Sequence, residues 1–179
     1  DNGNLKRERY YINGQRHGLD AEWHEYGRKK SASYYKDGKL DGRSISWHEN
    51  GKKESEAYYT DGEINGLFTV WKEKGQKSSQ GNYKNGKEDG VGVNWYYEGN
   101  ISKIESNYKD GKKEGLSIGW FVNGQKSTES NYKDGNRDGL MTVWWENGKK
   151  KFEIHYKNDK QNGLWTEWSE DGKITFEGN

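Results

Sequence analysis

A tryptophan returns at a near-constant interval along this chain: Trp23, Trp47, Trp71, Trp95, Trp120, Trp144 and Trp168 are separated by 24, 24, 24, 25, 24 and 24 residues. A sequence in that register folds as a repeat, each unit burying its apolar side chains against the next. Three further columns keep the same step: Gly18 to Gly163, Gly27 to Gly172, and Tyr11 to Tyr156. Chance does not hold four columns in register over seven units.

Each unit reads as two strands. Asn-Gly and Asp-Gly pairs such as Asn50-Gly51 and Asp37-Gly38 punctuate it twice, and such pairs between short alternating runs signal hairpins. Strand A is expected from near Leu19 to Glu25 and strand B from near Lys29 to Tyr35, with further B strands at Leu5 to Tyr11 and Lys173 to Asn179. No segment carries a helical apolar period. The expected fold is all-β: an elongated, twisted antiparallel meander of tandem 24-residue β-hairpins in a single-layer sheet. At ~4.8 Å per strand, about fifteen strands span about 70 Å. Residues 1–179 are read as one repeat domain of about seven units, with a half-unit at each end.

Alternation also selects a turn. Leu67, Thr69 and Trp71 share one parity in strand A; Ala57 and Tyr59 share one parity in strand B, with Glu54 and Glu56 on the other. A three-residue loop with Gly51 in the left-handed region places Trp47 on the Ala57 and Tyr59 face, apolar against apolar. The expectation is therefore a core in which Trp, Leu and Tyr lean over one face. The fourth unit has one extra residue between Gly99 and Tyr108, which a longer turn or a bulge must absorb because the downstream columns continue unflipped. Arg43 in the Leu column and Asn158-Asp159 in place of a Gly turn are further departures.

Composition sharpens this reading. Only 28% of residues are hydrophobic and 33% are charged, which approaches the disordered class, but 15% are aromatic. Rings in a polar background must hold the fold. The absence of Cys excludes disulfides, thiolate metal sites and a cysteine nucleophile. No apolar run reaches the ~18 residues of a membrane span. With 30 basic and 29 acidic residues interleaved, nothing drives the chain toward nucleic acid. The chain opens at Asp1 rather than Met, which is read as an upstream segment removed.

The stretch Gly81-Asn82-Tyr83-Lys84-Asn85-Gly86-Lys87-Glu88-Asp89-Gly90-Val91-Gly92 resembles the MORN repeat: an aromatic, two residues, Gly-Lys, two residues, Gly-x-Gly. Gly18-Leu19, Gly139-Leu140, Glu49-Asn50-Gly51-Lys52-Lys53 and Glu146-Asn147-Gly148-Lys149-Lys150 resemble the bacterial variant of that repeat. The resemblance extends over nearly the whole chain. It implies a twisted antiparallel sheet that serves as a binding or scaffolding module without shared catalytic residues. It also implies membership of a group that includes YwqK-type antitoxins, whose partner is a toxin, and surface or exported proteins. The sequence assigns no compartment; the two open are the bacterial cytoplasm, and the exterior or cell surface if an upstream signal peptide has been removed.

Enzymatic constellations are weak. The Glu column recurs in nearly every unit, as a solvated face does, so neither a catalytic pair nor a cofactor is expected. His24 and His48 share a column about 9–10 Å apart, too far for one ion at ~2.1 Å bonds, and are read as solvated surface residues. The candidate site is a set of large side chains opposite the Leu and Trp columns: Phe68, Tyr96, Phe121, Met141, Val143, Trp145 and Trp165. The first two units hold polar residues there (Asp20, Glu22, His24, Ser44, Ser46 and His48), so the repeat does not need these rings for its own packing. Such a patch marks a protein interface, or is covered by a curl of the sheet or by a second copy. The alternative class is a surface carbohydrate-binding or adhesion module, suggested by Trp95-Tyr96-Tyr97.

Overall fold

The computed structural model describes residues 5–179. It is all-β: its strands lie antiparallel in one open sheet in chain order, with no helix among the described residues. The chain divides into two compact units, residues 1–87 and 88–179. The first holds β1 (Arg7–Ile12), β2 (Gln15–Trp23), β3 (Lys29–Lys36), β4 (Lys39–Trp47), β5 (Lys53–Thr60), β6 (Glu63–Ile64), β7 (Gly66–Trp71) and β8 (Lys77–Lys84). The second opens with β9 (Lys87–Trp95) and continues through β10 (Ile101–Lys109), β11 (Lys112–Phe121), β12 (Lys126–Lys133), β13 (Asn136–Trp144), β14 (Lys150–Lys157), β15 (Lys160–Trp168) and β16 (Ile174–Gly178). Strands β6 and β7 are one strand interrupted at Asn65, whose N–H donates to the Tyr58 carbonyl at 2.8 Å.

Two turns alternate, each set by its residues. Lys36 pairs with Lys39 around Asp37 (φ 48°) and Gly38 (φ 83°). Positive φ at both central positions gives the primed turn that matches strand twist. Asn158 (φ 49°) and Asp159 (φ 60°) make the same turn without glycine. The Asp159 carboxylate there accepts the Arg137 N–H at 3.0 Å and its guanidinium at 3.1 Å. The other turn is the expected three-residue loop. The His48 N–H donates to Lys52 O at 2.9 Å, Gly51 N–H to His48 O at 2.8 Å, and Gly51 sits at φ 83°.

Strand A runs farther back than the expected Leu19 to Glu25, from Gln15 to Trp23, because the Asn13-Gly14 turn feeds directly into it. The first Gly column therefore lies inside a strand. Between the pairs Ser33↔Ser44 and Tyr35↔Leu40, β4 carries two residues more than β3. Gly42 absorbs the irregularity at φ 108°, and a Cβ there would come 3.3 Å from Tyr34 Cβ.

The expectation that Trp and Tyr share a face is corrected. After the three-residue loop, Trp47 pairs with Lys53 but Ser46 pairs with Ser55, so Glu54 bulges out of the ladder. That extra residue reverses the parity the loop alone would give, so Ile45 pairs with Glu56 and Ser44 with Ala57. One face therefore carries the Trp and Glu columns and the opposite face the Tyr column with Ser, Ala and Gly. Contacts agree: Lys53 binds Glu56 at 2.7 Å while its ammonium lies 5.5 Å over Trp71. The Tyr108 ring comes within 3.0 Å of where a Gly92 Cβ would stand, on the other side. The pairing recurs as Lys126–Glu129 under Trp144 and Lys150–Glu153 under Trp168.

The fourth unit shows the logic by exception. Trp95 pairs with Lys103, eight residues on, where Trp47 pairs with Lys53, six residues on. Asn94 then pairs with Ile104 with no bulge. The turn takes the extra residue and the bulged residue together, and the faces are kept. The Lys-to-Glu spacing contracts accordingly, from three residues elsewhere to two in Lys103–Glu105.

Only Ala21, Ala57 and Ile154 are buried apolar residues among those described, and no large side chain is fully enclosed. Stability comes from half-covered rings, ion pairs and contacts between neighbouring units, so it accumulates unit by unit.

Candidate interaction surface

At His24, His48 and Trp145 the residue after the column Trp ties one hairpin to the next. In the first two units it is His: the ring Nε2 of His24 bonds Trp47 O at 3.0 Å, and that of His48 bonds Trp71 O at 3.0 Å. Trp145 does the same with its indole, Nε1–H to Trp168 O at 3.1 Å. His24 and His48 are thus inter-unit struts rather than the solvated surface residues expected. In the fourth unit the Ser102 hydroxyl bonds Trp120 O at 3.2 Å and Phe121 O at 3.0 Å. The strut has moved to Ser102, which leaves the side chain of Tyr96 with no tie to make there.

Along this column His24, His48 and Lys72 give way to Tyr96, Phe121 and Trp145 before Ser169. The three aromatics border two adjoining hollows within residues 88–179. One, about 410 Å³, is lined by Tyr96, Glu98, Gly99, Asn100, Ile101 and Ile104. The other, about 300 Å³, is lined by Ile101, Phe121, Ser127, Thr128, Val143, Trp144, Trp145, Glu146 and Lys151. Ile101, opposite Phe121 in the ladder, belongs to both.

Of the expected site residues, the structure brings Phe121, Val143 and Trp145 together and sets Tyr96 beside them through Ile101. Met141 pairs with Ser130 and Ile154 in the next row of side chains and lines neither hollow. Trp165 packs edge-on to Phe176, ring centres 5.4 Å apart. Phe68 lies within residues 1–87, edge-on to Tyr83 at 5.9 Å. Except for Tyr96, at 44% exposure, these side chains are half-buried rather than openly displayed.

Sequence reasoning missed Ile101, Ile104, Ser127 and Lys151. The signal for Ile101 was the odd residue of the fourth unit, which lengthens the turn and starts β10 opposite Phe121. The same turn sends Asn100 across to hydrogen-bond the Glu146 carboxylate. Lys151 places its ammonium 4.3 Å over the Trp145 ring. Ser127 is 2% exposed, and its hydroxyl has no hydrogen-bond partner among the described residues. Ser127 is the bulged residue of its hairpin, and a Cβ on Gly119 would stand 2.8 Å from its hydroxyl.

Charge elsewhere is tied up in structure. Asp20, 6% exposed, is held by Arg9 at 3.0 Å, Arg7 at 3.3 Å and Arg16 at 3.5 Å. Lys53 and then Arg43 hydrogen-bond Glu56 and hold its carboxyl below the usual glutamate range. Among the described residues no three His, Asp or Glu side chains converge as a metal site would require.

Comparison with known families places the MORN repeat variant on three stretches, residues 40–61, 137–158 and 161–179. All three start at the same phase of the repeat, two residues before Gly42, Gly139 and Gly163. No curated protein matches the chain.

Proposed function

We propose that this repeat protein is a non-enzymatic scaffold that binds another protein through residues 88–179. The observation that carries the reading is the aromatic run Tyr96, Phe121 and Trp145 around two apolar hollows. The same column is polar in the first three units, so the fold does not require rings there. Large aromatics in a half-buried, polar-rimmed setting are the residue types that anchor protein interfaces. Neutralising a toxin, which the resemblance implies, is one specific form of this reading.

Sugar stacking is less well supported. One face of Trp145 is covered by Lys151, and Trp71, Trp120, Trp144 and Trp168 each have a lysine ammonium over one face.

The test is affinity purification from cells of the source organism with the intact chain and with a Tyr96→Ser, Phe121→Ser variant. The reading expects a protein that co-purifies with the first and is lost with the second. A glycan ligand in place of a protein, or a reproducible catalytic turnover, would overturn it.

A further inference from the structure

We infer that the two hollows form one continuous groove that receives a peptide segment carrying a large apolar side chain flanked by Lys or Arg. This inference rests on the protein-binding reading and names the chemistry of the partner. Tyr96, Ile101, Phe121, Val143 and Trp145 supply the apolar walls, and Ile101 joins the two hollows. Together they offer about 410 and 300 Å³, room for one or two large side chains and not for a folded domain.

Charge selects what flanks those side chains. Glu98 stands at the mouth of one hollow and Glu146 at the other. Lys151, which lines the same hollow as Glu146, keeps its charge where it leans over Trp145, so the rim carries two carboxylates against one ammonium. Residues 88–179 carry sixteen Asp and Glu against thirteen Lys and Arg, whereas residues 1–87 carry thirteen acidic and seventeen basic. The groove therefore lies in the acidic part of the chain. An acidic rim repels phosphate backbones and anionic headgroups and attracts basic side chains.

The experiment is selection of a random twelve-residue displayed peptide library against the intact chain, followed by affinity measurements on the enriched sequences. The expected consensus has one or two of Leu, Phe, Trp or Met next to Lys or Arg. Trp145→His keeps a ring N–H for the Trp168 carbonyl, as His24 and His48 do for theirs, while removing indole surface. It and Ile101→Ser should each weaken binding at least tenfold. Glu98→Gln with Glu146→Gln should weaken binding several-fold and flatten its salt dependence. Circular dichroism and thermal melting establish that each variant is folded.

Enriched peptides that bind all the variants as well as the parent would sink the groove and leave the scaffold reading standing. Enrichment of acidic sequences would overturn the charge argument. Failure to enrich any peptide would overturn the groove, while the protein-binding reading is decided by the affinity purification. Concentration-dependent self-association abolished by Ile101→Ser would mean that a second copy fills the groove, and would also overturn the inference.

Discussion

Replacing His48 with Phe removes one strut between hairpins and nothing else of comparable size. The His48 ring donates to the Trp71 carbonyl at 3.0 Å in a partly buried setting. A neutral hydrogen bond contributes about 0.5–1.5 kcal/mol net, and an acceptor left buried and unpaired costs about 1–3 kcal/mol. The site is only partly buried, so water recovers some of that, and the expected loss is about 1 kcal/mol. For a chain of this length that corresponds to a melting-point drop of about 2–4 °C. The control is His48→Trp, because Trp145 makes the same bond from the same column. It should retain most of the stability that Phe loses. Urea unfolding followed by tryptophan fluorescence measures both. The double variant His24→Phe, His48→Phe should lose about twice as much if neighbouring units add. If His48→Phe is as stable as the parent, or His48→Trp falls as far as Phe, the strut assignment is wrong.

Asp20→Asn should destabilise by about 2 kcal/mol in denaturant titrations: removing a buried charge partner costs ~3–5 kcal/mol, reduced here because the surrounding arginines remain partly open to water. Gly42→Ala should cost about 1–3 kcal/mol, since its φ of 108° strains any L side chain and a Cβ meets Tyr34; an unchanged melting point would refute the in-strand irregularity. The Glu56 carboxyl is held below its ordinary value by Lys53 and Arg43, so its contribution is present above the unfolded glutamate pKa of about 4.3 and is lost as pH falls through the folded value. Stability measured from pH 5 down to pH 2 should therefore fall more steeply in the parent than in Glu56→Gln.

The turns were legible because their chemistry is local: Asp37-Gly38 and Asn50-Gly51 dictate backbone signs regardless of what lies around them. Strand order followed from the turns. The faces did not, because one bulged residue per hairpin, Glu54 or Ser127, reverses the parity that the loop sets. The cue was present in the spacing of Lys53 and Glu56. Residues three apart in a regular strand point to opposite faces, so a recurring Lys-x-x-Glu pair can meet only across a bulge. The contraction to Lys103-x-Glu105 marks the unit without one. Phe121 and Trp145 were identifiable as apolar departures in a polar column, and Val143 as an apolar residue in the column two positions earlier. Ile101 was not, since its place beside Phe121 depends on how a lengthened turn starts the next strand. The roles of His24 and His48 were hidden for a related reason: each bonds a carbonyl 23 residues away, a contact no local pattern encodes.

The proposed binding surface in residues 88–179 is tested most directly by nuclear magnetic resonance of the intact, nitrogen-15-labelled chain. The nine tryptophan indole N–H signals are assigned and then followed during titration with a peptide from the library selection. The Trp145 signal should shift progressively with the peptide while those of Trp23 and Trp47, in the first unit, stay in place. Shifts at Trp23 and Trp47 with Trp145 unmoved would contradict the account.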